Sequence, residues 1–347
     1  MKPTLRALFL LAVLAAAPGC FFIDLGITNL GRIQEVTVVD AEDVDEKILL
    51  LPIDGVITDE PSGGGILSTG EESTVARVRQ QLEIAQRDES VRAVILRVNS
   101  PGGGVTASDV IHREIQRYKA ESKRPVVALF MDTAASGGYY VAQAADAIVA
   151  HPTTVTGSIG VISMIPNLGG LLEKIGVEVN AIKSGEKKDL GNPFRRMNED
   201  ERRIFQTLVD SFYGRFLEVI LAARKDRGLT PDGLRLVADG RILTGKQALD
   251  AKLVDRIGYF DDALKETLAR AGLAQARVVM YERKGIGQGG RTIYSQAGAA
   301  TDGAEAPRAA GGGGGGTEIN VLKVDAGDLA RLFARGPVFQ YLWVPGE

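Results

Sequence analysis

The chain has 347 residues, of which 45% are hydrophobic, and a formal net charge of −3 at pH 7. This length is enough for one large domain or two ordinary ones with a buried core. The small net charge and the lack of a long basic run argue against nucleic acid as a partner. With one cysteine and two histidines, the chain can form no intrachain disulfide and no cysteine-based zinc site, and we expect neither a metal nor another cofactor.

The N-terminus has the pattern of an export signal, to which we assign residues 1–20. Basic residues precede an apolar run at residues 7–17, and small residues then lead to Cys20. Residues 17–20, Ala-Pro-Gly-Cys, resemble a bacterial lipobox, in which the cysteine becomes lipidated, although leucine is more usual three positions before it. An uncleaved membrane anchor over residues 7–23 and an ordinary cleaved signal are the alternatives. Each of them predicts a body outside the cytosol, facing the periplasm of a bacterial cell envelope.

Composition divides the rest of the chain into four parts. Residues 21–45 have a mixed, acidic pattern and are predicted to be a tether, and residues 46–284 are predicted to be the folded body. Gly, Ala, Ser and Thr dominate residues 285–318, which include six consecutive glycines, so this segment is predicted to be a flexible linker. Residues 319–347 form an apolar tail, which is expected to dock on the body, on another subunit or on the membrane.

Within the body, apolar runs alternate with helical patterns. Strands are predicted at residues 47–53, 91–98, 125–131, 146–150 and 177–183, and helices at residues 73–87, 108–119 and from Asn198 onward. Such alternation predicts an α/β layered fold with mostly parallel strands. The long helix after Asn198 carries an apolar stripe, which predicts packing on the core or, alternatively, against another subunit.

Two glycine-rich turns follow predicted strands and carry the chemistry. Residues 100–104, Ser-Pro-Gly-Gly-Gly, offer backbone N–H groups in a turn. In residues 134–140, Ala-Ala-Ser-Gly-Gly-Tyr-Tyr, Ser136 stands at the start of a predicted helix among residues too small to cover it. A serine nucleophile beside free N–H donors is the arrangement that acyl transfer requires, because the donors stabilise the oxyanion of the transition state.

A serine needs a base, and the residues alone leave two kinds open. His112 lies within a predicted helix, where we expect a partly exposed position, and His151 lies in a loop. Neither has a neighbouring acid at a recognisable triad spacing. The other solution is a neutral lysine, whose pKa must be lowered toward neutrality by burial in apolar surroundings.

Three motifs, in their order and spacing, resemble those of the signal peptide peptidase SppA family. They are the turn at residues 100–103, the helix start at residues 135–140 and the run Thr-Gly-Ser-Ile-Gly-Val at residues 156–161. The resemblance covers roughly residues 47–282. These proteins are bacterial membrane-associated serine proteases with a Ser–Lys dyad, so the resemblance implies a ClpP/crotonase-like layered fold with repeated β–β–α units.

The resemblance also implies a role for individual residues. It makes Ser136 the nucleophile, Lys188 the general base, Ser158 the residue that orients the lysine, and the N–H groups of Gly103 and Gly137 the oxyanion hole. Lys188 is preferred to Lys183 and Lys187 because the base of the family directly precedes an aspartate, here Asp189. That carboxylate would raise the pKa of the lysine unless the two side chains point to opposite faces.

The function implied by the resemblance is that of an envelope serine endopeptidase, attached to the membrane through its N-terminus. Its substrates would be released signal peptides or other unfolded polypeptides. Short members of the family form rings in which the serine and the lysine come from adjacent subunits, so we expect a homo-oligomer. The alternatives are a non-catalytic lipoprotein scaffold and a crotonase-type acyl-CoA enzyme. The presence of both Ser136 and Lys188 argues against the first, and the export signal argues against the second.

Overall fold

The computed structural model of the chain describes residues 33–61, 72–283, 292–294 and 339–343. Its strands are β1 (Ile33–Val39), β2 (Lys47–Asp54), β3 (Val91–Ser100), β4 (Gly102–Gly104), β5 (Val126–Ala135), β6 (Ala147–Ala150), β7 (Val155–Gly157), β8 (Ile162–Ser163), β9 (Ile242–Thr244), β10 (Arg256–Ile257), β11 (Arg277–Arg283) and β12 (Phe339–Leu342). Its α-helices are α1 (Thr74–Arg87), α2 (Val105–Ser122), α3 (Gly137–Ala142), α4 (Gly169–Lys174), α5 (Glu199–Arg224), α6 (Pro231–Arg235), α7 (Gly245–Asp250) and α8 (Phe260–Ala271).

The central sheet has the order β1-β11-β2-β3-β5-β6-β10, with β7 beside β5 and β9 beside β7. Neighbours from β11 to β10 are parallel. Along β2 the side chains alternate between two hydrophobic layers, with Leu49 and Leu51 in one and Ile48 and Leu50 in the other. Burial on both faces explains why the strand reads as a continuous apolar run, and the predicted α/β layered fold is confirmed.

A second, smaller sheet consists of β4, β12 and β8, in that order, and all its pairs are antiparallel. The β4 strand is the glycine turn that follows β3, and β12 comes from the C-terminal tail. The tail thus docks on the body through these residues, which is one of the three positions expected for it.

The edge of the central sheet includes residues that the sequence predicts to be a tether. Ile33–Val39 forms β1, which pairs antiparallel with β11. Most of its residues are exposed or half-buried, so the continuous apolar run that marks the inner strands is missing here. An edge strand with this composition cannot be distinguished from a tether by its pattern alone.

The prediction of a strand at residues 177–183 is wrong. Within the part of the chain that the structure describes, no strand pairs with this segment, and Val177, Val179 and Ile182 are exposed. Its alternating pattern is typical of a half-buried strand, but a strand also needs a neighbour for its backbone hydrogen bonds. The described residues therefore leave the apolar side chains of this segment uncovered.

The long helix α5 begins as predicted, because Asn198 and Glu201 form a reciprocal capping box. Its apolar stripe is only partly used within the chain: Phe216 and Ile220 are buried, whereas Leu208 is exposed. The C-terminal half of α5 therefore packs on the core, while its N-terminal half projects beyond the core.

The predicted export signal with Cys20 lies outside the described residues, as do most of the predicted linker and tail. Of the helices described, none combines the length and the apolar character that a bilayer span requires.

A buried ion pair fixes the C-terminal end of α5 to the central sheet. Arg224 donates to both carboxylate oxygens of Asp255, at 2.8 and 3.1 Å, and the same carboxylate accepts a hydrogen bond from the backbone N–H of Ile148 in β6. Burial raises the pKa of the Asp255 carboxyl, but the hydrogen bonds and charges of Arg224 and Arg227 outweigh this effect and lower the pKa below its ordinary value.

We expect Asp255→Asn to lower the free energy of unfolding by about 3 kcal/mol at pH 7, because it leaves the buried Arg224 cation uncompensated. Since the folded-state pKa of Asp255 is lowered, its stabilising effect is complete above the unfolded value near 3.9 and is lost as the pH falls through the folded-state value. Urea unfolding of both proteins should therefore give a difference that is constant from pH 7 to about pH 4 and shrinks below that pH. Asp232→Asn, in the exposed pair with Arg235, is the control and should change stability by less than about 0.5 kcal/mol. A difference that stays constant with pH would contradict this account.

Candidate active site

Ser136 stands where β5 ends and α3 begins. Its backbone φ of +49° lies in the left-handed region, which residues other than glycine rarely adopt. The turn is held from both sides: the Ser136 N–H donates to the carbonyl of Gly157 at 2.9 Å, and the N–H of Tyr140 donates to the Ser136 carbonyl at 2.8 Å. Strain of this kind at a strand-to-helix turn is typical of a catalytic nucleophile.

The Ser136 hydroxyl is buried but unused by the fold. The residue is 1% exposed, and its Oγ has no hydrogen-bond partner among the residues that the structure describes. Leaving a buried polar group unsatisfied costs about 1–3 kcal/mol. The hydroxyl makes no structural hydrogen bond to a described residue that would offset this cost. Its environment therefore favours a chemical role over a structural one.

The glycine turn β4 presents one backbone N–H on the side opposite to Ile57. The Ile57 N–H donates to the Gly102 carbonyl at 2.8 Å, and the Gly104 N–H donates to the Ile57 carbonyl at 2.9 Å. Because peptide groups alternate along a strand, the N–H and carbonyl of Gly103 point to the opposite side. A Cβ at Gly103 would overlap the Ile57 carbonyl, so only glycine fits this position.

The two halves of the predicted oxyanion hole lie next to each other. A Cβ built on Gly102 would stand 2.7 Å from the backbone nitrogen of Gly137. Gly137 is the first residue of α3, so its N–H has no partner within the helix. The structure therefore brings together the nucleophile candidate and the two N–H groups predicted to stabilise an oxyanion.

Ser158 lies at the same end of the sheet as Ser136. Strand β7 pairs in parallel with the end of β5, with Gly157 opposite Ala135. The residues that follow, Ser158 and Ser136, both have a positive φ, and both are buried. Ser158 thus lies beside the nucleophile candidate, as its predicted role requires.

The structure does not bring Lys188 to Ser136. Lys188 belongs to an exposed segment, and its amine is not within hydrogen-bond distance of the buried Ser136 Oγ. A lysine that serves as a base has to be desolvated. Any such burial of Lys188 must come from something other than the described part of its own chain.

The contacts in this segment separate Lys188 from the two neighbouring lysines. Lys183 forms a salt bridge with Asp189 at 2.5 Å, and Lys187 forms one with Asp200. Lys188 has no carboxylate partner among the residues described. Among the three amines, Lys188 is therefore the one without an ion pair to a described carboxylate.

Asp189 itself is compensated by two cations. It accepts hydrogen bonds from Arg195 at 2.9 Å and from Lys183, and these bonds hold the pKa of its carboxyl well below the ordinary range. The carboxylate of Asp189 is therefore paired with two cations other than Lys188.

Neither histidine contacts Ser136. His112 was expected to be partly exposed, and this is wrong: it is buried in α2, edge-on to the ring of Tyr140, and burial lowers its pKa to about 4. His151 bonds to Thr153. Over the described ranges, no group of three or more His, Cys, Asp or Glu side chains is placed to hold a metal ion.

Sequence reasoning did not identify the wall of the site that is formed by the tail and α5. Strand β12 lies between β4 and β8, and its Tyr341 ring contacts the rings of Tyr140 and Phe216. The aromatic run at residues 339–343, Phe-Gln-Tyr-Leu-Trp, belongs to the segment that the sequence predicts to be an apolar tail. Nothing in its pattern says which surface it covers.

Comparisons with known proteins show the family to which the chain belongs. The model of peptidase family S49 matches residues 118–274, and that of the Clp protease family matches residues 66–155. A protein of Enterococcus faecium named as a signal peptide peptidase SppA is 40% identical over 243 residues, which are 70% of this chain and 69% of that protein. A protein of Synechocystis named as a protease is 38% identical over 214 residues, or 62% of this chain and 74% of that protein.

Among solved structures, a ClpP1 variant from Listeria monocytogenes matches 62% of this chain and 93% of its own, with 18% identity and a TM-score of 0.39. The family assignment rests on the sequence relatives. The chain belongs to peptidase family S49, the family of the signal peptide peptidase SppA, and is a serine-type peptidase with a ClpP-like fold.

Proposed function

We propose that the chain is an envelope serine endopeptidase that cleaves released signal peptides or other unfolded polypeptides through a Ser–Lys dyad. Ser136 Oγ attacks the peptide carbonyl, Lys188 accepts the hydroxyl proton and passes it to the leaving amine, and water then hydrolyses the acyl-enzyme. The observation that carries the proposal is the Ser136 hydroxyl, which is buried, unpartnered and held at a strained φ beside Gly137.

The oxyanion of each tetrahedral intermediate would form between the N–H groups of Gly103 and Gly137. One belongs to a glycine turn and the other to a helix start, and both are backbone groups that need no rearrangement during the reaction. Losing one such donor typically costs about 2.7–4 kcal/mol in the transition state. The fold thus supports acyl transfer before any base is considered.

The base would come from a neighbouring subunit. Exposed apolar side chains are concentrated on the stretch that leads to Lys188: Ile162, Met164, Leu171, Ile175, Val177, Val179 and Ile182. A concentration of exposed apolar side chains in one segment is typical of a protein interface. A second copy of the chain that covered this stretch would desolvate Lys188 of the first copy. That lysine would then serve Ser136 of the second copy. We therefore propose a homo-oligomeric ring with shared active sites.

Attachment to the membrane is part of the same proposal. The lipobox-like sequence around Cys20 favours a lipid on that cysteine, and an anchor over residues 7–23 remains the alternative. Either arrangement would hold the peptidase close to the place where signal peptides are released.

We expect Ser136→Ala to reduce the cleavage rate of an unfolded protein substrate by at least about 10⁴-fold, because the nucleophile is lost. Lys188→Ala should have a comparable effect, whereas Lys187→Ala, its matched control, should keep the rate within a few-fold of the unmodified chain. Initial rates on casein at pH 8 would measure all three variants, and circular dichroism would check that each is folded. Normal activity in Lys188→Ala would contradict the assignment of the base.

Sharing of the site between subunits predicts complementation. Ser136→Ala and Lys188→Ala chains, co-expressed in equal amounts with different tags and purified through both tags, should regain about a quarter of the normal activity. Random mixing places an intact serine next to an intact lysine at about one in four interfaces of a ring. Mixed oligomers that remain as inactive as each single variant would show that each site is built within one chain.

A further inference from the structure

The exposed segment that carries Lys188 is connected to the start of α5 on both sides of that lysine. Lys187, the residue before it, forms a salt bridge with Asp200 in the first turn of the helix. Asp189, the residue after it, reaches the same helix through Arg195. Both neighbours of the proposed base are therefore joined to one helix end.

Arg195 is the centre of the second connection. Its Nε donates to a carboxylate oxygen of Asp189 at 2.9 Å, and its Nη2 donates to the Asp189 backbone carbonyl at 3.0 Å. On the other side, Nη1 donates to Glu201 at 2.9 Å, and Nη2 also bonds to that carboxylate. A planar fork of five N–H groups fits this arrangement, whereas the compact ammonium of a lysine does not.

Glu201 gives this connection a fixed point. Its side chain is 2% exposed, and the same carboxylate accepts a hydrogen bond from the Asn198 N–H at 3.1 Å in the capping box of α5. The hydrogen bonds from Arg195 hold the pKa of the Glu201 carboxyl below its ordinary value, so the group is charged at neutral pH. Moving this carboxylate would break the cap and the ion pair together, and the helix start therefore determines its position.

The backbone of Arg195 is held as well. A Cβ on Gly169, the first residue of α4, would stand 3.3 Å from the Arg195 Cα. Just before this contact, the Leu168 N–H donates to the Pro193 carbonyl at 2.6 Å. The start of α4 therefore packs on the chain at Arg195 and fixes the point from which its side chain extends.

The backbone around Lys188 forms a series of tight turns. The N–H groups of Lys188, Leu190 and Asn192 each donate to the carbonyl three residues earlier, at 3.0, 3.3 and 3.2 Å. The Asp189 carbonyl that accepts from Asn192 is also the one that Arg195 holds. Exposed turns outside a sheet or a long helix open easily, so the position of these turns depends on the connection to α5.

We propose that Arg195 is a positioning residue for the peptidase reaction, which holds the turn of Lys188 against Glu201 so that the lysine is presented to a neighbouring subunit in one orientation. Lys187 and Asp200 add a second, exposed connection, and such exposed pairs contribute little. The assignment of Lys188 as the base rests on the proposed function. The attachment of its turn through Arg195 is a statement about the folded chain and can be tested without catalysis.

The first test measures backbone hydrogen exchange in full-length chains by mass spectrometry. Arg195→Lys keeps a cation beside the buried Glu201 but loses the planar fork that joins it to the turn. Amides of residues 185–192 should exchange at least about tenfold faster in this variant, because hydrogen bonds of a charged group are lost, whereas those of β3 and β5 should not change. Arg235→Lys, which alters another arginine in an exposed ion pair, is the matched control. Unchanged exchange of residues 185–192 in Arg195→Lys would overturn the proposal.

The second test assigns the effect of Arg195 to one half of the shared site. Arg195→Lys should lower the rate on casein at least about tenfold, because a misplaced base reacts slowly. Co-expressed with Ser136→Ala and purified through two tags, it should regain about a quarter of the normal activity, since its intact serine then meets an intact lysine turn. Co-expressed with Lys188→Ala, it should regain nothing beyond its own residual rate, since both defects lie in the lysine half.

A normal rate in Arg195→Lys would overturn the positioning role. Recovery with Lys188→Ala, or recovery with neither partner, would overturn it too, because a chain that is merely misfolded supplies no active serine to Ser136→Ala.

The pair of Ser136→Ala and Lys188→Ala, measured alongside, retains Arg195 in both chains and reports on the proposed function alone. Inactivity of that pair would count against the sharing of sites between subunits. The exchange of residues 185–192 and the rate of Arg195→Lys by itself would still decide the positioning role.

Discussion

The parallel pairing of β3 with β5 determines where every part of the site lies. Their carboxyl ends coincide, with Ser100 opposite Ala134, so the glycine turn after one strand and Ser136 after the other must meet. The pairing of β7 with the end of β5 then adds Ser158 on the other side. The glycine turn, the pair of Ser136 and Gly137, and Ser158 lie in three turns, and the hydrogen bonds of one sheet hold these turns in register.

The cost of this arrangement is concentrated at Ser136. Its left-handed φ and its buried hydroxyl, which has no partner among the described residues, both oppose folding, at a cost of about 1–3 kcal/mol each. The inner strands, buried on both faces, supply the stability that the site lacks. The ion pair of Arg224 and Asp255 extends this support to α5, which carries Phe212 and Phe216 to the tail. The stability of the buried sheet therefore compensates for the strain in the turn of Ser136.

The sequence predicted the features that depend on local pattern. Continuous apolar runs marked β2, β3, β5 and β6, and Asn198 with Glu201 marked the start of α5, because burial on two faces and capping both leave a local signature. The sequence alone left the base open, and only the resemblance to a family selected Lys188. In the structure, Lys183 and Lys187 form ion pairs with Asp189 and Asp200, and the assignment of Lys188 stays a prediction.

The remaining features depend on contacts between distant residues. The alternating residues 177–183 were predicted as a strand, since the pattern of a half-buried strand and that of an uncovered surface are the same. The polar edge strand β1 was missed for the converse reason, because its neighbour β11 lies more than 200 residues away in sequence. No local pattern could place Tyr341 against Tyr140, which is 201 residues before it.

In the single chain, the exposed Lys188 is not within hydrogen-bond distance of the Ser136 Oγ. The proposed function therefore requires a second copy of the chain to supply the lysine.

The central claim is that the strained, unpartnered Ser136 is the nucleophile, and the most direct measurement is chemical. The full-length protein would be treated with a fluorophosphonate that forms a stable bond with an activated serine, and the modified residue would be identified by peptide mass spectrometry. We expect one adduct, on Ser136, with loss of proteolysis in proportion to its yield, and no adduct on Ser158. Loss of proteolysis with the adduct on another residue, and none on Ser136, would contradict the account.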